Sequence, residues 1–420
     1  MRFLYTLALR LALPLILLRL WWRGRREPGY RRSIGERFGR YAGKLAERRD
    51  RVLWIHAVSV GEARAAAPLV RALEAAHPDH AILITCTTAA GREAIRQVYG
   101  ETVLSSYLPY DFSGAVQRFL EHFRPRLGIL METEVWPNLV EACARLRVPV
   151  LLANARMSEK SARGYARFPG LSRPAFAALS LVCAQSEADA ARLRALGAPR
   201  VEVTGNLKFD ATPDARQLEQ GRAWRAKIGR PVVLLASTRD GEERMLLEVF
   251  PPGPELIVVV PRHPQRFDEV AGLADSRRTK KPFPGEKERV HLGDTMGEMA
   301  FYLGACDVAV IGGSFVPLGG QNLIEALAAG TPVVCGPSMF NFAEATRLAV
   351  EAGAAVQSAD VASAVQLVDR LLKEPQKRSD MSKAGRRLCE MHRGATDRHI
   401  AACRQLLEPA TNRNPSPTRP

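Results

Sequence analysis

The seven cysteines of this 420-residue sequence, Cys86, Cys143, Cys183, Cys306, Cys335, Cys389 and Cys403, never form a Cys-x-x-Cys pair. An odd, scattered set argues against a disulfide framework and fits a reducing compartment in which most of them fill core positions. The histidines have no paired spacing with a cysteine or carboxylate, which removes the usual zinc patterns. No Gly-x-Gly-x-x-Gly follows the first strand of either half and no Walker lysine is present, so NAD and ATP fall down the list of ligands. There is no repeat of solenoid period. The basic residues do not interleave with an aromatic stacking platform, which disfavours a nucleic-acid partner.

What is present is length and positive charge. At 420 residues with 46% apolar composition, the chain exceeds the size of a single core and predicts two domains. Sixty Lys and Arg against 44 Asp and Glu leave a net charge of +16, suited to an anionic partner. Part of that excess is local: Arg23, Arg25, Arg26, Arg31 and Arg32 follow the apolar run Phe3 to Trp22. The run is almost long enough to span a bilayer but holds Arg10, Arg19 and Pro14, so it reads as a marginal transmembrane helix or as an interfacial one. Trp21-Trp22-Arg23-Gly24-Arg25 is the wrong chemistry for signal peptidase. An uncleaved anchor with the body on the cytoplasmic side is therefore expected, since basic flanks stay inside.

From Arg51 onward short apolar runs alternate with helical patterns. Arg51 to Ser59 predicts a strand and Glu62 to Ala76 a helix; further strands are expected at 81–87, 103–108, 127–131, 148–153 and 201–204. Between Asp210 and Arg230 the pattern lapses into polar sequence, then restarts at 232–236, 256–260, 290–292, 308–311 and 332–335. Such alternation predicts α/β domains with doubly wound parallel sheets, whose ligands lie beyond the carboxyl ends of the strands. The tail from Pro409, PATNRNPSPTRP, has the composition of a disordered segment.

Unusual residues cluster at those strand ends. In Ser59-Val60-Gly61-Glu62 a carboxylate opens a helix, which reads equally as a catalytic base and as a first-turn glutamate complementing the helix dipole. Glu132 and Glu134, at period two before a Pro-initiated helix, read as orienting groups or as a capped helix entry; nothing adjacent completes an oxygen cage for a metal. Lys208, between Leu207 and Phe209 after a glycine turn, reads as an anion-binding group or as solvated surface. In the second half, Arg262-His263-Pro264, Asp294 to Met299, Gly312-Gly313-Ser314 and Leu318 to Ala326 each end a strand or open a helix where backbone amides could hold phosphate. Glu325, within the last of these, is placed to accept ribose hydroxyls.

In order and over nearly the whole length, the sequence resembles the bacterial Kdo transferases, which add 3-deoxy-D-manno-octulosonic acid (Kdo) to the lipid A precursor. The resemblance rests on the N-terminal apolar segment and on RGRREPGYRRSIGERFG, WIHAVSVGE, METEVWPN, LLANARMS, VTGNLKFD, VPRHPQRF, GDTMGEM and GGSFVPLGGQNLIEA. Only the tail and the loops at 211–230 and 274–288 lie outside it. It implies a GT-B fold: two Rossmann-like domains with a cleft between them, an anchor at 1–28, an acceptor domain at 29–212, a donor domain at 213–408 and a tail at 409–420. It implies inverting transfer without metal or other cofactor, from CMP-Kdo to the lipid A precursor lipid IVA, in lipopolysaccharide synthesis at the cytoplasmic face of the inner membrane. By match of motif, Glu62 resembles the proton acceptor, and Glu132 and Lys208 resemble groups that stabilise the transition state. Arg262, His263, Gly297, Glu298, Met299, Asn322, Leu323, Ile324 and Glu325 resemble the CMP site. The sequence departs from the family pattern at Gln321, often histidine, and at Leu323-Ile324, often Pro-Leu; glutamine keeps a hydrogen-bonding side chain but carries no proton. Neither nucleic acid nor a protein partner enters this reading. The alternatives are another GT-B nucleotide-sugar transferase and a non-catalytic anionic-lipid-binding protein of the same fold.

Overall fold

Most of the short apolar runs form strands, and the strands sort into two sheets. A computed structural model describes residues 1–41, 51–210 and 212–408. The tail expected to be disordered lies outside the described residues.

The first sheet is entirely parallel: β1 (Val52–His56), β2 (Ala81–Cys86), β3 (Leu104–Tyr107), β4 (Pro125–Met131), β5 (Val150–Ala155), β6 (Leu181–Ala184) and β7 (Val201–Val203), in the order β3-β2-β1-β4-β5-β6-β7. Successive side chains of β1 alternate between two buried faces, Leu53 and Ile55 in one core and Val52 and Trp54 in the other. Trp54 fits because Gly128 lies opposite: a Cβ there would sit 2.9 Å from the indole ring. Its Nε1 donates to Thr85 Oγ1 at 2.7 Å, so no buried donor is stranded. The strand order reverses between β1 and β4, and Glu62 and Glu132 follow the ends of those two strands. The helix expected at 62–76 is two, Val60–Ala65 and Ala67–Ala76, because Pro68 begins a new helix.

The second sheet comprises β8 (Val232–Thr238), β9 (Leu256–Pro261), β10 (Ser276–Arg277), β11 (Val290–Leu292), β12 (Val308–Ile311), β13 (Val333–Cys335) and β14 (Ala355–Gln357), in the order β10-β11-β9-β8-β12-β13-β14. Its order reverses between β8 and β12. β6, β10 and β14 were not foreseen. They have four residues or fewer, and the apolar residues of β6 run on from the helix before it, so no change of period marks them. The polar lapse at 210–230 is a helix, Ala215–Ile228, that buries only Gly221 and Trp224 and so shows no apolar stripe in sequence.

Two expectations are corrected. The chain divides into Met1–Asp210 with Gly394 onward, and Ala211–Arg393, so the second domain does not run on to residue 408. Helix Ala395–Leu407 belongs to the first unit, where Ala395, Ile400, Ala402, Cys403 and Leu406 join the core on one face of its sheet. Burying Ile400 and Leu406 there contributes about 1.5–3 kcal/mol each. The N-terminal apolar segment is not one helix: Arg2–Leu11 and Leu13–Arg26 meet at a 50° bend next to Pro14. Among the described residues no single helix is long and apolar enough to cross a membrane. The first of the pair is fastened to the first unit through Tyr5 to Asp111 at 3.0 Å, Thr6 to Asn138 and an Arg2–Glu141 ion pair. Phe3, Leu4, Leu11, Leu15, Leu18, Trp21 and Trp22 stay exposed. Six of the seven cysteines are buried and none is in a disulfide.

Candidate active site

Glu62 sits in the first turn of helix Val60–Ala65, directly after β1. Ser59 is the N-cap and accepts from the Glu62 backbone N–H at 3.3 Å, while its hydroxyl donates to Glu62 Oε1 at 2.9 Å. Val58 N–H donates to Oε2 at 2.9 Å. The carboxyl is thus folded back over the strand end and partly withdrawn from water. Burial, then the Glu132 carboxylate, push its pKa up to about 7 from 4.5; the Val58 and Ser59 hydrogen bonds pull the other way, and Glu134 adds a smaller push. Glu134 is itself pushed up by burial and donates nothing; it accepts from Trp136 Nε1 at 2.9 Å.

Glu132 follows β4 in the left-handed region, φ +58°, a conformation a glutamate holds only when its surroundings impose it. Its N–H donates to Ala153 O of β5. Its carboxylate faces two cations, Lys208 Nζ at 3.3 Å from Oε1 and Arg156 Nη2 at 3.9 Å from Oε2. Lys208 stands on a short 3₁₀ turn, Leu207–Asp210, that packs Leu207 and Phe209 inward and so presents the lysine between them. The structure therefore brings together the three residues Glu62, Glu132 and Lys208, and adds Arg156 from LLANARMS, a segment to which no role had been attached. Among the described residues no three His, Cys, Asp or Glu side chains converge as a metal site.

In the second unit the sequence candidates lie on four loops. Arg262 and His263 follow β9; Arg262 N–H donates to Thr238 O, tying this loop to the end of β8. Burial and then the Arg239 and Arg262 charges push the His263 pKa down, with Asp240 pulling the other way. Gly297 (φ +81°) precedes Glu298, whose carboxylate is held by Arg278 at 2.7 and 3.0 Å, and Met299 starts helix Met299–Gly304. Two glycine turns clasp each other, Gly320 N–H to Gly313 O and Gln321 N–H to Gly312 O. At Gly312 a Cβ would sit 2.5 Å from the backbone of Ser237 and Thr238, so this approach requires glycine. Leu323 and Ile324 are fully buried, and Asn322 Oδ1 accepts from Ile324 N–H at 3.1 Å. Glu325 lies in the first turn of the six-residue helix Ile324–Ala329.

Arg239, whose charge acts on His263, was not among the sequence candidates. It follows β8 within Arg239-Asp240-Gly241-Glu242, the counterpart of Ser59-Val60-Gly61-Glu62, and that internal likeness was the available signal. Glu242 accepts Arg239 N–H at 2.9 Å as Glu62 accepts Val58 N–H, but it is fully buried and also accepts Gly313 and Phe315 N–H. One glutamate of the pair is spent on backbone amides. The other faces carboxylates.

The sequence of residues 32–211 matches the family model of 3-deoxy-D-manno-octulosonic-acid transferase (kdotransferase), and residues 277–388 match that of glycosyl transferases group 1. The 3-deoxy-D-manno-octulosonic acid transferase of Bordetella pertussis is 46% identical over 96% of this chain and 99% of its own. That of Haemophilus influenzae is 35% identical over 98% and 99%. The Anabaena protein Alr3699/HepE in complex with UDP shares the fold, with a TM-score of 0.59 at 14% identity over 84% of this chain and 99% of that one. Two parallel-sheet Rossmann-like units and these matches define a glycosyltransferase of the GT-B class. Its identity within that class follows from the full-length relatives. The chain belongs to the Kdo transferase family.

Proposed function

We propose that this transferase moves Kdo from CMP-Kdo to a hydroxyl of the lipid A precursor lipid IVA, for lipopolysaccharide synthesis, in a single inverting displacement with Glu62 as general base. The observation that carries the proposal is Glu62 itself: a strand-end carboxyl held by Val58 and Ser59, with its pKa at about 7, beside a Glu132 carboxylate paired with Lys208. A base poised near working pH couples adequate ionisation to useful proton affinity. The acceptor oxygen bonds to the ketosidic carbon, its proton passes to Glu62, and the bond to the CMP phosphate breaks with its electrons on the leaving group. Glu132 stabilises positive charge on the sugar, and Lys208 holds Glu132 and answers the donor carboxylate. Arg262, with Arg239, neutralises the departing phosphate.

The same cations support transfer without a metal ion: the carboxylate best placed to bind one, Glu132, already faces Lys208 and Arg156. The exposed apolar residues of the two N-terminal helices support attachment at the cytoplasmic face of the inner membrane. The fastening of the first helix to the body favours lying in the interface over spanning. Glu62→Gln tests the base. CMP binding should be unchanged while transfer falls about a hundredfold to ten-thousandfold; near-normal transfer removes the assignment. Protection of the protein from unfolding by CMP but not UDP tests the donor.

A further inference from the structure

The Lys208–Glu132 pair is assembled from two segments that carry no rigidity of their own, a four-residue 3₁₀ turn and a strand end in left-handed backbone. Ala153 of β5 anchors the strand end, and the turn is anchored on its neighbour Asn154. This residue is fully buried in β5 with φ +51°, next to Ala153, the acceptor for Glu132 N–H. Its Oδ1 accepts from Leu207 N–H at 3.0 Å, which fixes the start of the Lys208 turn, and its carbonyl accepts from Gln185 Nε2 at 2.9 Å. Its own N–H points away from the sheet and donates to His399 Nε2 at 2.9 Å.

His399 stands on the C-terminal helix, 245 residues further along the chain, and is fully buried. Its Nδ1 lies 2.7 Å from Ala395 O, so Nδ1 carries the proton and Nε2 is the acceptor. Burial pushes its pKa down to about 4, against a smaller opposing pull from Ala395 O and Asp210 and with Arg398 adding to the fall, so the imidazole stays neutral and keeps that tautomer at working pH. The N-terminus of the same helix holds the far end of the Lys208 turn: Asp210 accepts from Gly394 N–H at 2.7 Å and from Thr396 N–H. Both ends of the turn therefore depend on one helix. Asn154 supplies the start and Asp210 the end.

We propose that His399 is a positioning residue for the transfer reaction: by accepting the Asn154 N–H it holds the left-handed corner of β5 that sets Lys208 against Glu132. The proposal rests on the reading of Lys208 and Glu132 as members of the active site. It assigns the C-terminal helix a part in catalysis without contact to substrate. Without the imidazole acceptor, Asn154 N–H is buried and unpaired, and the corner relaxes toward an ordinary strand conformation that moves Leu207 and, with it, Lys208.

His399→Leu removes the acceptor, and His399→Gln restores one at the same reach. In the full-length enzyme we expect His399→Leu to lower kcat at least tenfold with the donor KM changed less than twofold, and His399→Gln to recover most of that loss. The acid limb of the kcat–pH profile should also move to higher pH in His399→Leu, because Glu132 without Lys208 presses harder on Glu62, whose other charged neighbour is Glu134. A double-mutant cycle completes the test: His399→Leu should cost little once Lys208→Ala is present. Thermal unfolding of each variant identifies any that fail to fold, for which His399→Gln against the parent supplies the comparison. A His399→Leu enzyme that is folded and transfers at the parental rate overturns the positioning role, as does a cycle in which the two losses multiply. If Lys208→Ala alone transfers at the parental rate, the underlying reading of Lys208 falls, and the proposal with it.

Discussion

Glu62 can accept a proton only when ionised, so its pKa should write the acid limb of the transfer rate. A carboxyl at about 7 is about one-tenth ionised at pH 6, whereas one at 4.5 is ionised almost completely there. With both substrates saturating, the initial rate of CMP release should fall about tenfold between pH 8 and pH 6. The environment of the carboxylate then allows the limb to be moved in both directions. Glu132→Gln removes the larger of the two neighbouring charges and should slide the limb to lower pH, although the plateau will also drop. Ser59→Ala removes a hydrogen bond that favours the ionised form and should slide it to higher pH, at a cost of about 0.5–2 kcal/mol in stability through the lost cap. The position of a limb is readable whatever its height, so the opposed shifts separate electrostatics from general damage. A limb near pH 4.5 in the parent, or two variants shifting the same way, refutes the reasoning.

The folded-state pKa of Glu62 lies above its unfolded value, so the stability it contributes is full below about pH 4.5 and is lost as pH rises through about 7. Glu62→Gln should therefore be more stable than the parent at pH 8, by up to about 3 kcal/mol, in denaturant titrations, with the difference vanishing at pH 4. Exhaustive chelation should leave transfer unchanged; a strict requirement for added magnesium would instead make Glu132 and Glu134 ligands. Leu15→Glu with Leu18→Glu should weaken co-sedimentation with anionic vesicles while leaving the melting temperature within a few degrees, since both side chains are exposed. Arg239→Ala should weaken CMP binding about tenfold or more, measured by calorimetry, without altering the acid limb.

Much of the fold was legible because it is local. The strand carrying Trp54 and Ile55 is a short apolar run that ends at His56, and the helix behind it begins with a serine cap and a glutamate three residues later. The glycine turns of the second unit were legible too, because Gly313, Gly319 and Gly320 adopt positive φ. Short strands such as β14 and the weakly amphipathic helix Ala215–Ile228 were not, since their burial depends on neighbours that no local period reports. The N-terminal run was legible as apolar and as interrupted by Pro14, but the fastening of its first helix to Asp111 and Asn138 depends on side chains more than a hundred residues away.

By itself the sequence determined two doubly wound units, the strand ends that carry chemistry, and through its motifs the family. Local pattern alone does not rank Glu62 above Glu242, because both follow a strand end and a glycine in the first turn of a helix; it was the resemblance of motif that singled out Glu62. Tertiary structure adds the physical difference: Glu242 is satisfied by amides of the loop after β12, whereas burial and then the Glu132 and Glu134 carboxylates raise the proton affinity of Glu62. Nor could the sequence show that the last described helix returns to the first unit. A carboxylate's pKa and a helix's docking face are set by groups distant along the chain, and only folding brings those groups within reach.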